Sequence, residues 1–245
     1  MTTATQRTVV AGPTFIRLLA GLTEAEVPQT SPILSDRLSQ WIDWTRAVAL
    51  SRALDGRLPA DGPDAPGFDS AEQDEYMRMR TSLATSISNG IELATGKLLA
   101  GEPTTSTQGN HGGAVDYQPF HQHYLDMQRS MQTTTGRLRG HLRDRLARQS
   151  ADMARLAEID AVMELSLSPR EQTLLAMVPR LLGVHFQRLR EPGGLDETSP
   201  PEDNQATSPG PWLEVFRNDM QSVLTAELDV RFQPIEGLLA ALRAR

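Results

Sequence analysis

The sequence predicts an all-α protein, an elongated helical bundle built around one very long helix from about Asp116 to Leu167. Three observations predict it. Apolar residues recur at three- and four-residue steps along most of the chain, no stretch alternates with the period of two that a strand requires, and clusters of Pro, Gly and Asp separate the periodic segments.

The first dozen residues are polar and expected to fray, and Pro13 is suited to open a short helix that ends near Gly21. Ser31-Pro32 then supplies a capping hydroxyl before a proline at the first helical position. Leu34, Leu38, Trp41, Thr45 and Val48 mark one face of the helix that follows, with Gly56 as its stop. Between Asp55 and Asp69 the run GRLPADGPDAPGF reads as a loop. The next helix begins near Ser70, where Tyr76, Met79, Leu83, Ile87, Ile91, Ala94 and Leu98 form its stripe and Gly101 is placed to end it. A second loop, GEPTTSTQGNHGG, leads to the long helix.

There Phe120, Tyr124, Met127, Met131, Thr135, Leu138, Leu142, Leu146, Gln149 and Met153 are spaced at about 3.67 residues on average. That is the period of an eleven-residue repeat, so the stripe stays on one face of a nearly straight rod rather than coiling left-handed. Leu156, Ile159, Met163 and Leu167 extend it. An unbroken helix of this length would reach roughly 75 Å at 1.5 Å per residue. Its expected weak point is Thr133-Thr134-Thr135-Gly136 with Gly140, where β-branched and glycine residues lower helix propensity together.

Ser168-Pro169-Arg170-Glu171 resembles a capping box opening a new helix, with Leu174, Val178, Leu181 and Leu189 towards the core and Pro179 as a kink. Residues 191–211, EPGGLDETSPPEDNQATSPGP, are rich in Pro, Gly and acid with only Leu195 as an apolar anchor, the composition of a linker. A last helix then buries Trp212, Phe216, Val223 and Leu228 and is interrupted at Pro234. The chain therefore divides into a helical domain over 1–190, the linker over 191–211 and a C-terminal helix over 212–245 that packs back on the bundle.

With 245 residues the chain is long enough to bury its own core, and a net charge of −7 disfavours general attraction to nucleic acid or anionic lipid. The absence of cysteine excludes disulfides, thiolate nucleophiles and cysteine-bearing metal sites. Arg17 interrupts the best N-terminal apolar stretch, and no run approaches the roughly 20 apolar residues of a membrane span, so a cytoplasmic location is expected. All basic residues but Lys97 are arginine, which reads as coding bias.

No residue set meets the requirements of a catalytic, metal or cofactor site, and none is expected. His121 and His123 lie beside Asp126, but residues two apart on a helix point about 200° apart and cannot share an ion. His111 and His185 lack an acid nearby in sequence. Gly112-Gly113 and Gly193-Gly194 are not followed by the Lys and hydroxyl of a phosphate loop, and Asp43, Asp74 and Glu75 fall on polar helix faces. Trp41 belongs to a core stripe that Trp44 merely flanks. The strongest local charge is the run Arg137, Arg139, Arg143, Arg145 and Arg148 with His141, opposed by Asp144. It is a candidate partner-binding segment; the alternative is a solvated face paired with acids such as Asp152.

The segments TVVAGPTFIRLLAGL, SPILSDRLSQWIDWTRAVALSRALDG and AELDVRFQPIEGLLAALR resemble a proteobacterial family filed as domain of unknown function 3348. The resemblance implies no activity. It implies a partner class, since genes of that family sit beside those of envelope proteins. The resulting expectation is a non-enzymatic cytoplasmic scaffold that engages another helical protein, such as the cytoplasmic part of an envelope complex. Contact with nucleic acid through Arg137 to Arg148 is the second reading, and self-association is left open.

Overall fold

The structure is a computed structural model that describes residues 14–23, 34–55, 70–100, 116–191 and 210–244. These form helices α1 (Thr14–Thr23), α2 (Leu34–Trp41), α3 (Trp44–Asp55), α4 (Ser70–Ala100), α5 (Gln118–Ala147), α6 (Ala151–Leu175), α7 (Val178–Arg190) and α8 (Pro211–Arg243). No strand occurs among the described residues. The expected frayed start, the loops between Asp55 and Asp69 and after Gly101, and all but the ends of the 191–211 linker lie outside the described residues, as do His111, Gly112-Gly113 and Gly193-Gly194.

The all-α bundle is as expected, and the reason is visible in which side chains are buried. Every apolar position of the α5 stripe from Phe120 to Leu146 is buried, as are Tyr76, Leu83, Ile87, Ile91 and Ala94 of α4, with Met79 and Leu98 packed at its edge. At roughly 1.5–3 kcal/mol for each large apolar side chain removed from water, these two stripes alone outweigh any local deficit in helix propensity. Helix α8 is the centre of the molecule. It touches α1, α4, α5 and α7 and buries residues around much of its circumference, including Phe216, Met220, Leu224, Phe232 and Ile235. One end of the core is an aromatic knot in which Phe216 packs edge-on against Phe120, Phe186 and Tyr117.

The single rod from Asp116 to Leu167 is instead two helices joined by a tight turn at Arg148, Gln149 and Ser150. Ser150 is extended, and its hydroxyl accepts from the Met153 amide at 3.2 Å, with Asp152 in the first turn of α6. A capped start with an acid beside it is a strong local signal. It beat the continuing apolar period: Leu156, Ile159, Met163 and Leu167, which extend the stripe in sequence, are only half-buried, and α6 turns Ala157 and Leu175 into the core. The suspected soft point, by contrast, stays helical: Met131, Thr135 and Leu138 are buried there, and the Thr135 hydroxyl bonds to the Met131 carbonyl at 2.8 Å.

Other helix limits shift for similar reasons. The helix expected from Ser31 to Gly56 breaks before Trp44 because Asp43 caps α3, accepting from the Arg46 amide at 2.9 Å. The capping box at Ser168 is not used, and α6 runs through Pro169, whose ring faces solvent. Pro179 starts α7 rather than kinking it, since a missing N–H costs nothing in a first turn. Helix α8 continues through Pro234 under the hold of buried Phe232, Ile235 and Leu238. With these limits the core side of α7 is Val178, Leu182 and Phe186, while Leu174 is exposed and Leu181 half-buried. Trp212 is likewise only partly buried, with Leu213 taking the inner position.

One contact sets how closely α4 approaches α5. The His123 ring lies over Gly90, where a Cβ would sit 1.9 Å from the His123 Cε1, and His123 Nε2 donates to the Ile87 carbonyl at 3.2 Å. Gly90→Ala is therefore expected to destabilise the fold by about 1–3 kcal/mol, an overpacking cost, although it raises helix propensity. Urea unfolding should show the loss in Gly90→Ala and a partial recovery in Gly90→Ala/His123→Ala; equal costs in the single and double variants would exclude the clash as its cause.

Candidate interaction site

The α5–α6 turn brings the basic run of α5 against the acids of α6. Arg139 makes a two-pronged pair with Asp160, at 2.8 Å from Nε and 2.7 Å from Nη2. Arg143 reaches Asp160 at 3.2 Å and Glu164 at 2.5 Å. In an unbroken rod, positions 139 and 160 would be roughly 32 Å apart at 1.5 Å per residue. Burial alone would lower the Arg139 pKa; the bonds and charges of Asp160, with those of Glu164 and Glu171, outweigh it and hold the guanidinium above its ordinary value.

Arg145 turns the other way, to Glu72 of α4 at 2.6 Å, and His141 reaches Glu75 at 3.2 Å. Glu72 is buried, and its second oxygen has no hydrogen-bond partner, so Arg145 carries the whole task of neutralising it. Of the five candidate arginines, Arg137 and Arg148 are exposed, whereas Arg139, Arg143 and Arg145 hold neighbouring helices. The acids involved belong to other helices. Asp152, the local acid considered from the sequence, pairs with Arg155 instead.

Behind these pairs lies a buried network that the sequence did not disclose. Glu227 of α8 is 0 % exposed. Its carboxylate accepts from the Tyr124 hydroxyl at 2.6 Å, from Gln128 at 3.2 Å, and from Arg231 at 2.8 and 2.9 Å. Burial first, then the Glu227 charge, keeps the Tyr124 phenol well above its ordinary pKa, so it serves as a permanent donor. The Arg231 guanidinium extends from Glu227 towards Glu171 of α6, 3.6 Å away. The i, i+4 spacing of Glu227 and Arg231 was legible, but the expected apolar face of α8 did not single it out.

The histidines are placed separately. His121 and His123 diverge, as their spacing requires, with His121 beside Tyr117 and His123 between α4 and α5. His185 does find an acid in space: its Nε2 lies 2.7 Å from Asp219 of α8. Arg188 donates to His185 Nδ1 at 3.0 Å and to the Leu22 carbonyl at 2.6 Å, so the ring accepts at Nδ1 and donates from Nε2. Both nitrogens are thereby committed to joining α7 with α8 and α1. Trp44 is 82 % exposed at the start of α3, and Trp41 is half-buried beneath the Arg170 guanidinium, 5.3 Å from its ring.

The outer side of the α6–α7 joint carries apolar residues that the core does not use. Leu174, Met177, Leu181 and Val184 are spaced three, four and three apart; Leu174 and Val184 are 64 % and 63 % exposed. Helix α7 adds the exposed Arg180 and contains no acid, while its Arg188 is turned inward to His185 and Leu22. This row arises because Leu175, Val178 and Leu182 face inward; the sequence pattern placed Val178 correctly but took Leu174 and Leu181, each one residue early, for the other two.

A family model described as protein of unknown function (DUF3348) matches residues 1–244. The chain belongs to this family. Membership in DUF3348 agrees with the resemblance carried by the N-terminal, Ser31 to Gly56 and C-terminal segments, and it spans every helix described above. No curated protein and no solved structure gives a match. No helix among the described residues is long and apolar enough to cross a membrane.

The division of the arginines has a measurable consequence. Arg145→Ala strands the buried Glu72 carboxylate and should cost about 3–5 kcal/mol, whereas Arg137→Ala should stay within about 0.5 kcal/mol of the parent. Chemical denaturation of the two variants checks the ordering. Acid should act through His123, whose pKa burial lowers against the opposing Ile87 bond and Asp126 charge. Because its folded value lies below its unfolded one, the stability it contributes is complete above about pH 6.5 and falls as pH drops below that towards the folded value. The midpoint lost between pH 7.5 and pH 5 should accordingly be smaller in His123→Gln than in the parent.

Proposed function

We propose that this member of DUF3348 is a non-enzymatic accessory protein that engages another helical protein through the outer side of the α6–α7 joint. The observation that carries the reading is the apolar row Leu174, Met177, Leu181 and Val184, which offers a partner helix anchors at helical spacing. Arg180 on the same helix favours a partner with acidic residues flanking its own apolar stripe. The partner class implied by the family resemblance, the cytoplasmic part of an envelope complex, supplies the first candidates, and the cytoplasm is the compartment this reading requires. Nucleic-acid contact has a narrower base, since Arg139, Arg143 and Arg145 of the basic run are held by Asp160, Glu164 and Glu72.

Affinity purification of the full chain from its native cells, in parallel with Leu174→Asp/Val184→Asp, tests the reading. Both side chains are exposed, so the double variant should keep its helix content and unfold within about 1 kcal/mol of the parent. A partner recovered with the parent should be lost from the variant by at least tenfold. Recovery of the same partner by both, or of the chain alone by both, overturns the assignment of this face.

A further inference from the structure

We propose that the cleft between α5, α6 and α8 binds a small zwitterion, an α-amino acid or short peptide, held by its carboxylate on one side and its ammonium group on the other. This site is separate from the α6–α7 face, and its existence does not depend on a helical partner.

The cleft encloses about 480 Å³ and is lined by Arg139 of α5, Glu164, Ser168 and Glu171 of α6, and Arg231 of α8, with Gly136 forming part of its α5 wall. That volume suits one amino acid or a peptide of a few residues rather than a helix. Both guanidiniums are anchored from behind and presented at the front. Arg231 is tied through Nε and Nη2 to Glu227, and Arg139 through Nε and Nη2 to Asp160. Their remaining Nη1 groups face Glu171 at 3.6 Å and Glu164 at 3.7 Å, charge contacts longer than a hydrogen bond. Arg231 is 8 % exposed at its side chain, so its orientation is set by the fold and not by the ligand.

Charge balance chooses the ligand class. The connected walls hold the carboxylates of Asp160, Glu164, Glu171 and Glu227 against the guanidiniums of Arg139, Arg143 and Arg231, an excess of one negative charge. A lone anion would add to that excess, and a lone cation would compete for Glu171 and Glu164 while leaving the two Nη1 groups with no contact shorter than 3.6 Å. A zwitterion satisfies both: its carboxylate accepts from an Nη1 group, and its ammonium donates to Glu171, the more exposed acid, with Ser168 available as a neutral partner. Gly136 makes the room. A Cβ built there meets nothing within 4 Å, so glycine at this point of a buried helix leaves space without relieving any clash.

That empty space supplies a variant that fills the site without disturbing the fold. Titration calorimetry and thermal shift on the full chain would use the standard L-amino acids and glycylglycine as probes, with inorganic phosphate and 1,4-diaminobutane as single-sign comparators. At least one zwitterion is expected to bind tenfold or more tightly than either comparator. Gly136→Leu should weaken that binding by at least tenfold while the melting temperature stays level or rises, and Glu171→Gln should weaken it similarly. Absence of binding by every zwitterion overturns the proposal, as does equal binding of phosphate or the diamine. Undiminished binding by a folded Gly136→Leu overturns it as well.

Discussion

The structure depends on a charge placed where no water reaches it. Glu227 lies in the middle of α8, 0 % exposed, and a carboxylate at that depth persists only if every lone pair is met. Tyr124 and Gln128 on α5 and Arg231 on α8 meet them at 2.6–3.3 Å. Sliding α5 by one turn against α8 would separate these groups and leave the carboxylate bare. Apolar contacts between the two helices are tolerant of such slips, because one Leu or Met can replace another against the same surface. The polar cluster therefore assigns the register, and the apolar stripes supply the bulk of the free energy.

From that register the neighbouring elements follow. With α5 held against α8, the turn at Arg148 to Ser150 returns α6 along α5, so that Asp160 and Glu164 meet Arg139 and Arg143. Gln128 also donates to the Leu175 carbonyl at the end of α6, tying the α6–α7 joint to the same cluster. Helix α7 is thereby fixed with Leu182 and Phe186 inward and Met177 and Val184 outward. The apolar row proposed as a docking face and the charged cleft proposed as a ligand site are two consequences of one packing arrangement. One faces away from α8, and the other opens beside Arg231 of α8.

A chain with a net charge of −7 and a local run of arginines invites a reading in terms of an outside partner. The tertiary arrangement spends most of that run internally. Arg139 and Arg143 face acids of α6, the next helix, Arg145 faces Glu72 of α4, and the three side chains are 16–20 % exposed. Arginine suits this role because its fork bridges two acids at once and stays charged when largely desolvated. The face proposed for docking on α6–α7 is apolar with Arg180 on the same helix, and its composition differs from the one that charge counting would have selected.

The sequence by itself determined the all-α class and the inward faces of α4 and α5. Positions such as Leu83, Ile87, Met131 and Leu138 are set by a period that repeats for about six or seven turns, and a local rule suffices when a stripe is that long. It did not determine where the long period is cut. Ser150 with Asp152 marks the start of α6, yet that signal competes with an apolar stripe that continues beyond it in the same phase, and only the contact of α6 with α5 decides between them. The same limit applies to the sites. Glu227 sits among apolar residues and reads as an interruption until Tyr124 is brought to it from 103 positions away, and Asp219 is invisible as the partner of His185 for the same reason. Hydrophobic periodicity is a property of one helix, whereas the full set of partners that a buried polar group needs is drawn from two, and so it belongs to the tertiary structure.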